Sequence, residues 1–196
     1  MSYNHLERGI PELKKLMHRE LFVGVLSEEG GNLAMIAHVL EFGAHIKPIN
    51  SKYLTIPSEH VPRGKSAKDY DNLHLRTRGN GKGILVDDSG QVMFYLVKEV
   101  IIPPRHYFTE TYDKRFNAWT KEYRNQIHEI VMSRQTAEGC MHHMGNIVVA
   151  DIRKAIIGWK TPHNAPATKA RKHGVDNPLV DTGRLAQSII YEVRKF

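Results

Sequence analysis

Cysteine is almost absent from this chain: Cys140 is the single one in 196 residues. One thiol forms no internal disulfide, so folding in a reducing compartment is expected. No apolar run approaches the length of a membrane span. The first fifteen residues, MSYNHLERGIPELKK, carry acids as well as bases and lack the apolar centre of a signal peptide. Several catalytic patterns are also missing. The glycine-rich GNGKG at 79–83 lacks the Walker spacing and its Ser or Thr. Ser188 has no His and Asp at nucleophile-motif spacing. Cys140, His142 and His143 do not share a helix face, because neighbouring helical positions point about 100° apart, so no metal site is expected. Asp87 and Asp88 with Glu99 lack the acid-x-Lys order of a metal-dependent nuclease, and DDSG reads as a hairpin turn. No enzyme activity, metal or cofactor is expected.

Acid is missing from one long stretch. Between Asp151 and Asp176 the chain has none, while Lys160, Lys169, Arg171 and Lys172 fall inside it. The formal net charge is +7. This balance suits a solvated face, a phosphate contact or an acidic protein partner. No zinc-finger spacing or single-strand-binding signature accompanies it.

What is present describes an ordered α+β protein. Hydrophobic residues make up 41% and charged residues 25%, which argues against disorder. A short helix is predicted from His5 to His18, then a strand over ELFVGVLSE at 20–28. A turn at 28–31 leads to a helix that Asn32 can cap. It carries Leu33, Ile36, Ala37 and Leu40 and ends at Gly43. YLTI at 53–56 reads as a strand. Residues 58–83 read as a long polar loop whose apolar anchors are chiefly Leu73 and Leu75. Ile84 to Val86 and Gln91 to Val100 form a hairpin. Aromatic and apolar residues then recur at three-four spacing: Phe108, Tyr112, Phe116, Trp119, Tyr123, Ile127 and Ile130 define one long helix to about Met132. Met141, Met144, Val148, Ile152 and Trp159 define a second from about Thr136, with Gly139 and Gly145 placed to admit a close neighbour. The expected fold is α+β: a small mixed or antiparallel sheet packed against long amphipathic helices, with a long inserted loop. One domain over 1–196 is expected, with a variable insertion at about 46–100.

Near the C-terminus stands NPLVDTGRL at 177–185. Pro178 favours an extended Asn177. Leu179 and Val180 offer an apolar anchor. Asp181 or Thr182 can accept the first amides of a short helix beginning at Gly183, with Arg184 on its first turn. Leu185 and Ile189 can face inward, and IIYEV suits a closing strand.

Three segments together resemble the virion-morphogenesis, or tail-completion, proteins of tailed bacteriophages. AHVLEFG at 37–43 is similar to that family's helix ending in Glu-Phe-Gly. IIPPRHYF at 101–108 is similar to its Ile-Pro-x-Arg-x-Phe motif, which leads into the long helix. The family often carries proline just after the arginine, where this chain has His106. The third segment runs from Asn164, Pro166 and Thr168 through Lys169 and Gly174 to PLVDTGRL and Ser188-Ile189. The resemblance implies a structural, non-enzymatic virion protein of the neck or tail end, assembled in the host cytoplasm. It implies a homo-oligomeric ring whose neighbours are head-connector or portal-side proteins and tail-terminator or tail-tube proteins. Non-specific DNA contact is the alternative role, and no membrane partner is implied. The expected assembly contacts are Arg105, Lys169, Arg171, Lys172, Leu179, Asp181 and Arg184. The expected structural turns are Gly43, Pro103, Pro104, Pro178 and Gly183.

Overall fold

The computed structural model describes residues 4–25, 31–78, 82–164, 168–169, 172 and 176–196. Residues 28–30 of the turn expected at 28–31, most of GNGKG, and Pro166, Arg171 and Gly174 lie outside the described residues. The elements run α1 (Asn4–Leu16), β1 (Arg19–Val25), α2 (Gly31–Phe42), β2 (Ala44–Ile46), β3 (Leu54–Pro57), β4 (His74–Arg78), β5 (Lys82–Val86), β6 (Val92–Val97), β7 (Val100–Ile102), α3 (Tyr107–Val131), α4 (Ala137–Gly158), α5 (Arg184–Ser188) and β8 (Ile189–Lys195). This is the expected α+β class: small antiparallel sheets with two long helices. Among the described residues no helix is long and apolar enough to cross a membrane. The chain divides into two compact units, one made of Met1–Glu41, His106–Trp159 and Leu179–Phe196, the other of Phe42–Arg105 and Lys160–Pro178.

The first unit is built around α4. Strands β1 and β8 pair antiparallel, with Leu21 opposite Val193, Val23 opposite Tyr191 and Val25 opposite Ile189. The period of two puts these apolar pairs on one face, which packs on α4. Ile152 and Ile156 are fully buried there, together with Tyr107, Leu185 and Ile189. A second cluster gathers Leu16, Ile130, Ala137, Cys140 and Met141. Burial pushes the Cys140 thiol up to about 11, so it behaves as a small apolar residue. Helices α3 and α4 are also tied by charge: Asp151 Oδ2 accepts from Arg115 Nε at 2.8 Å and from Trp119 Nε1 at 2.7 Å. Helix α4 opens on Thr136, whose side chain accepts from the Gly139 amide at 3.0 Å. Glu12 of α1 accepts from the next orphan donor, the Ala137 amide, at 2.9 Å.

The second unit carries a four-stranded antiparallel sheet in the order β3-β6-β5-β4, and a separate β2-β7 pair. The hairpin from β5 to β6 turns where expected, with the Gly90 amide donating to Asp87 O at 2.9 Å. Asp87 Oδ1 accepts from the amides of Ser89 and Gln91. One sequence expectation needs correcting. The stretch read as a long loop contains strand β4, in register with β5 so that Leu75 faces Leu85. HLRTR has too few apolar residues to announce a strand; its backbone ladder with β5 supplies the order instead. Leu73 packs beside Val61, Tyr70, Met93 and Phe94, while Leu75 is exposed.

Gly145 has a specific steric duty within the first unit. A Cβ placed there would lie 2.5 Å from the Tyr191 ring. Gly145→Ala should therefore destabilise by about 1–3 kcal/mol through overpacking. Gly158 has nothing within 4 Å of such a Cβ, so Gly158→Ala should be neutral or stabilising by a few tenths of a kcal/mol. Urea denaturation of the two variants checks the contrast. Equal costs would remove the assigned role of Tyr191.

Candidate assembly joint

Helix α2 carries no formally charged residue from Gly31 to Leu40, and then Glu41. That carboxylate is buried, at 5% exposure. A buried carboxylate needs donors, and the first turn of α3 has unpaired ones. Glu41 Oε2 accepts from the Phe108 amide at 2.8 Å. Its Oε1 accepts from the Thr109 amide at 3.0 Å and from the Thr109 hydroxyl at 2.6 Å. The Glu41 carbonyl also accepts from the His106 amide at 3.1 Å. A negative charge at a helix N-terminus is further favoured by the helix dipole. So α3, whose own N-cap residue supplies no side-chain cap, borrows one from a residue 67 positions earlier.

This joint explains the residue after Arg105. His106 sits at φ 50, in the left-handed region. Proline is locked near φ ≈ −65° and has no amide proton, so it could neither adopt this conformation nor donate to Glu41. The Tyr107 hydroxyl nearby is pushed up to about 12, first by burial and then by the Glu41 charge.

Residues from each of the three segments of the tail-completion resemblance share one core. Ala37 comes from the first and Tyr107 and Phe108 from the second. Leu179, Leu185 and Ile189 come from the third, all packed with Val149, Ile152 and Ile156. Leu179, expected as an assembly contact, is 4% exposed and belongs to the core of its own unit. Pro178 is buried; Asp181 and Arg184 are exposed. Gly183, at φ 78, is the N-cap of α5, and it provides no side-chain cap. The helix expected to begin at Gly183 begins one residue later, at Arg184, with Gly183 as its left-handed entry. Arg153 of α4 holds the far end of that helix: its guanidinium donates to the carbonyls of Gln187 and Ile189.

The remaining expected residues lie in the second unit. Gly43 has φ +79, and a Cβ there would fall 2.8 Å from Ile102 O and 3.0 Å from the Pro104 ring. Pro103 and Pro104 are exposed. Arg105 is buried and donates through Nη1 to Pro103 O at 3.2 Å. The basic stretch is organised by Asp176, which sequence reading did not single out. Asp176 accepts from the Asn164 amide at 2.9 Å, pairs with Lys169 Nζ, and lies 2.8 Å from His163 Nδ1. Lys172 Nζ donates to Asn177 O at 2.9 Å. Both described lysines of the expected contact set therefore have partners within their own unit; Arg171 lies outside the described residues.

The histidines near Cys140 also diverge: His142 reaches the Tyr191 hydroxyl, and His143 reaches Glu122. Among the described residues, no three His, Cys, Asp or Glu side chains converge as metal ligands would. No protein-family model, curated protein or solved structure matches this chain.

Two measurements probe these contacts. Glu41→Ala should cost about 1–3 kcal/mol in urea denaturation, because it leaves α3 amides unpaired in a buried place. Glu41→Gln, which keeps one acceptor oxygen, should cost less. A null effect from Glu41→Ala would mean that solvent serves the amides equally well. For Asp176, the Lys169 ammonium first, and then the Asn164 amide and His163, hold its carboxyl at about 2, below the ordinary 3.8. A depressed folded value means the contribution is complete above the ordinary value. It is lost as pH falls from near 3.8 toward about 2. The Asn164 amide resonance should titrate near the lower value and lose that transition in Asp176→Asn. A midpoint at 3.8 would break the assignment.

Proposed function

We propose that this chain is a structural, non-enzymatic subunit of the tailed-phage neck or tail end, completing the tail and joining it to the head connector. The observation that carries the reading is the shared core of the three motif segments. Residues 37–41, 107–108 and 179–189 are far apart in sequence, yet each contributes to one hydrophobic cluster with Val149, Ile152 and Ile156 of α4. The Glu41 carboxylate binds the first two segments directly. A set of motifs that builds one joint behaves as one structural signature, which is what a family of assembly proteins would retain.

The surface supports an oligomeric role. In the first unit Met35 and Ile36 of α2 are exposed, as are Phe22 and Ile190 on the outer face of the β1-β8 pair. The Arg194 guanidinium lies 4.5 Å from the Phe22 ring centre, a cation placed over an aromatic face. Apolar surface of this kind suits coverage by a neighbouring subunit, here a second copy in a ring. Arg184, exposed on the first turn of α5, is the residue assigned to ionic contact with a neighbour, since its fork matches a carboxylate. In this reading the protein folds in the host cytoplasm and ends in the virion, at the head-tail junction.

In a phage that encodes this chain, loss of the protein should leave filled heads and finished tails accumulating separately in negative-stain images. Normal virions without it would overturn the reading. Salt-sensitive binding of the purified monomer to DNA fragments, with no effect on joining, would favour the alternative of a genome contact. Arg184→Glu should change stability by less than about 0.5 kcal/mol, since it is an exposed surface change. It should also reduce the yield of joined particles. Full titre with this variant would remove Arg184 from the interface.

A further inference from the structure

Arg105 is the only buried basic residue among the described ones, at 9% exposure. No carboxylate of the described residues forms an ion pair with it, and its Nε–H is buried without an acceptor. Its only hydrogen bond to a described residue is the 3.2 Å contact from Nη1 to Pro103 O. Burial pulls its pKa down, and no charge of a described residue offsets it. A lysine in such a place could shed its proton. A guanidinium cannot, so the cost of burying the charge stands until an anion arrives. Arginine is rarely buried unless paired, and breaches of that rule concentrate at functional positions.

We propose that Arg105 is a carboxylate-binding position, completed by an Asp or Glu side chain projecting from a neighbouring protein subunit. The inference rests on the assembly reading only for the source of that carboxylate. Exchanging the 3.2 Å contact to Pro103 O for an incoming carboxylate would let the Nε–Nη2 edge grip that group with two parallel hydrogen bonds. A protein side chain fits better than a nucleic-acid phosphate. The guanidinium is recessed, and the residues before it, Ile101, Ile102, Pro103 and Pro104, add no second cation. A strand of nucleic acid is held by several basic contacts along its backbone.

The test uses the full chain and three salts at equal ionic strength: sodium chloride, sodium glutarate and sodium phosphate. In NMR spectra the Arg105 Nε–H resonance of the wild type should shift saturably with glutarate and not with chloride. The melting temperature should rise with glutarate over chloride. Arg105→Met should fold, melt at or above the wild type in chloride, and show no extra response to glutarate, because it removes a charge that nothing internal repays. A Met variant that fails to fold or melts well below the wild type gives Arg105 an internal structural role and overturns the proposal. An unmoved Nε–H resonance in the wild type overturns it too. A phosphate response equal to that of glutarate overturns the choice of a protein carboxylate. None of these measurements depends on virion joining, so the proposal can fail while the assembly reading stands, and the reverse.

Discussion

The carboxylate of Glu41 on the first amides of α3 is the contact on which the architecture of the first unit turns. A 25-residue helix begins there without a cap of its own. Its first turn is fixed by a residue that ends another helix. Because the carboxylate is buried, water competes poorly for those amides, and the bonds hold more tightly than exposed ones would. The left-handed His106 is tolerable for the same reason: its amide is held by the Glu41 carbonyl.

The same device appears at the other long helix. Glu12 of α1 accepts from the Ala137 amide at the start of α4, beside the local cap from Thr136. Its carboxyl is held below the ordinary range, chiefly by Lys15 and then by that amide. Both long helices thus have their starting points set by glutamates distant in sequence. Capping from afar ties the position of one helix to another, which side-chain capping by a neighbouring residue cannot do. With Asp151 clamping α3 to α4, the apolar stripes of the two helices are kept in register with the β1-β8 pair.

Charge is handled in two ways within the second unit. Asp176 gathers Lys169, His163 and the Asn164 amide, so part of a conspicuously basic stretch serves internal order. Arg105 is the contrary case, a buried cation with nothing acidic given to it among the described residues. Among the described residues two buried side-chain groups lack a hydrogen-bond partner, Arg105 Nε and Asn164 Nδ2, and only the first belongs to a charged group.

Much of the architecture is legible in the sequence. The three-four spacing from Phe108 to Ile130 and from Met141 to Ile152 implied two long helices, because a buried stripe must recur with the helical period. Gly43 as a left-handed stop and Asp87–Gly90 as a hairpin turn followed from residue chemistry alone. The close approach at Gly145 was readable in outline, though not its occupant. Strand β4 was hidden, since its order comes from a backbone ladder that side-chain patterns do not report. The partners of Glu41, Asp176 and Arg105 were hidden for a related reason. A carboxylate or guanidinium looks the same in sequence whether it faces water, a lysine or a helix end. Local sequence determined which elements form and where they stop. The tertiary structure decided which charged groups are buried and whether each meets a partner, because burial and pairing depend on residues far apart in the chain coming together in space.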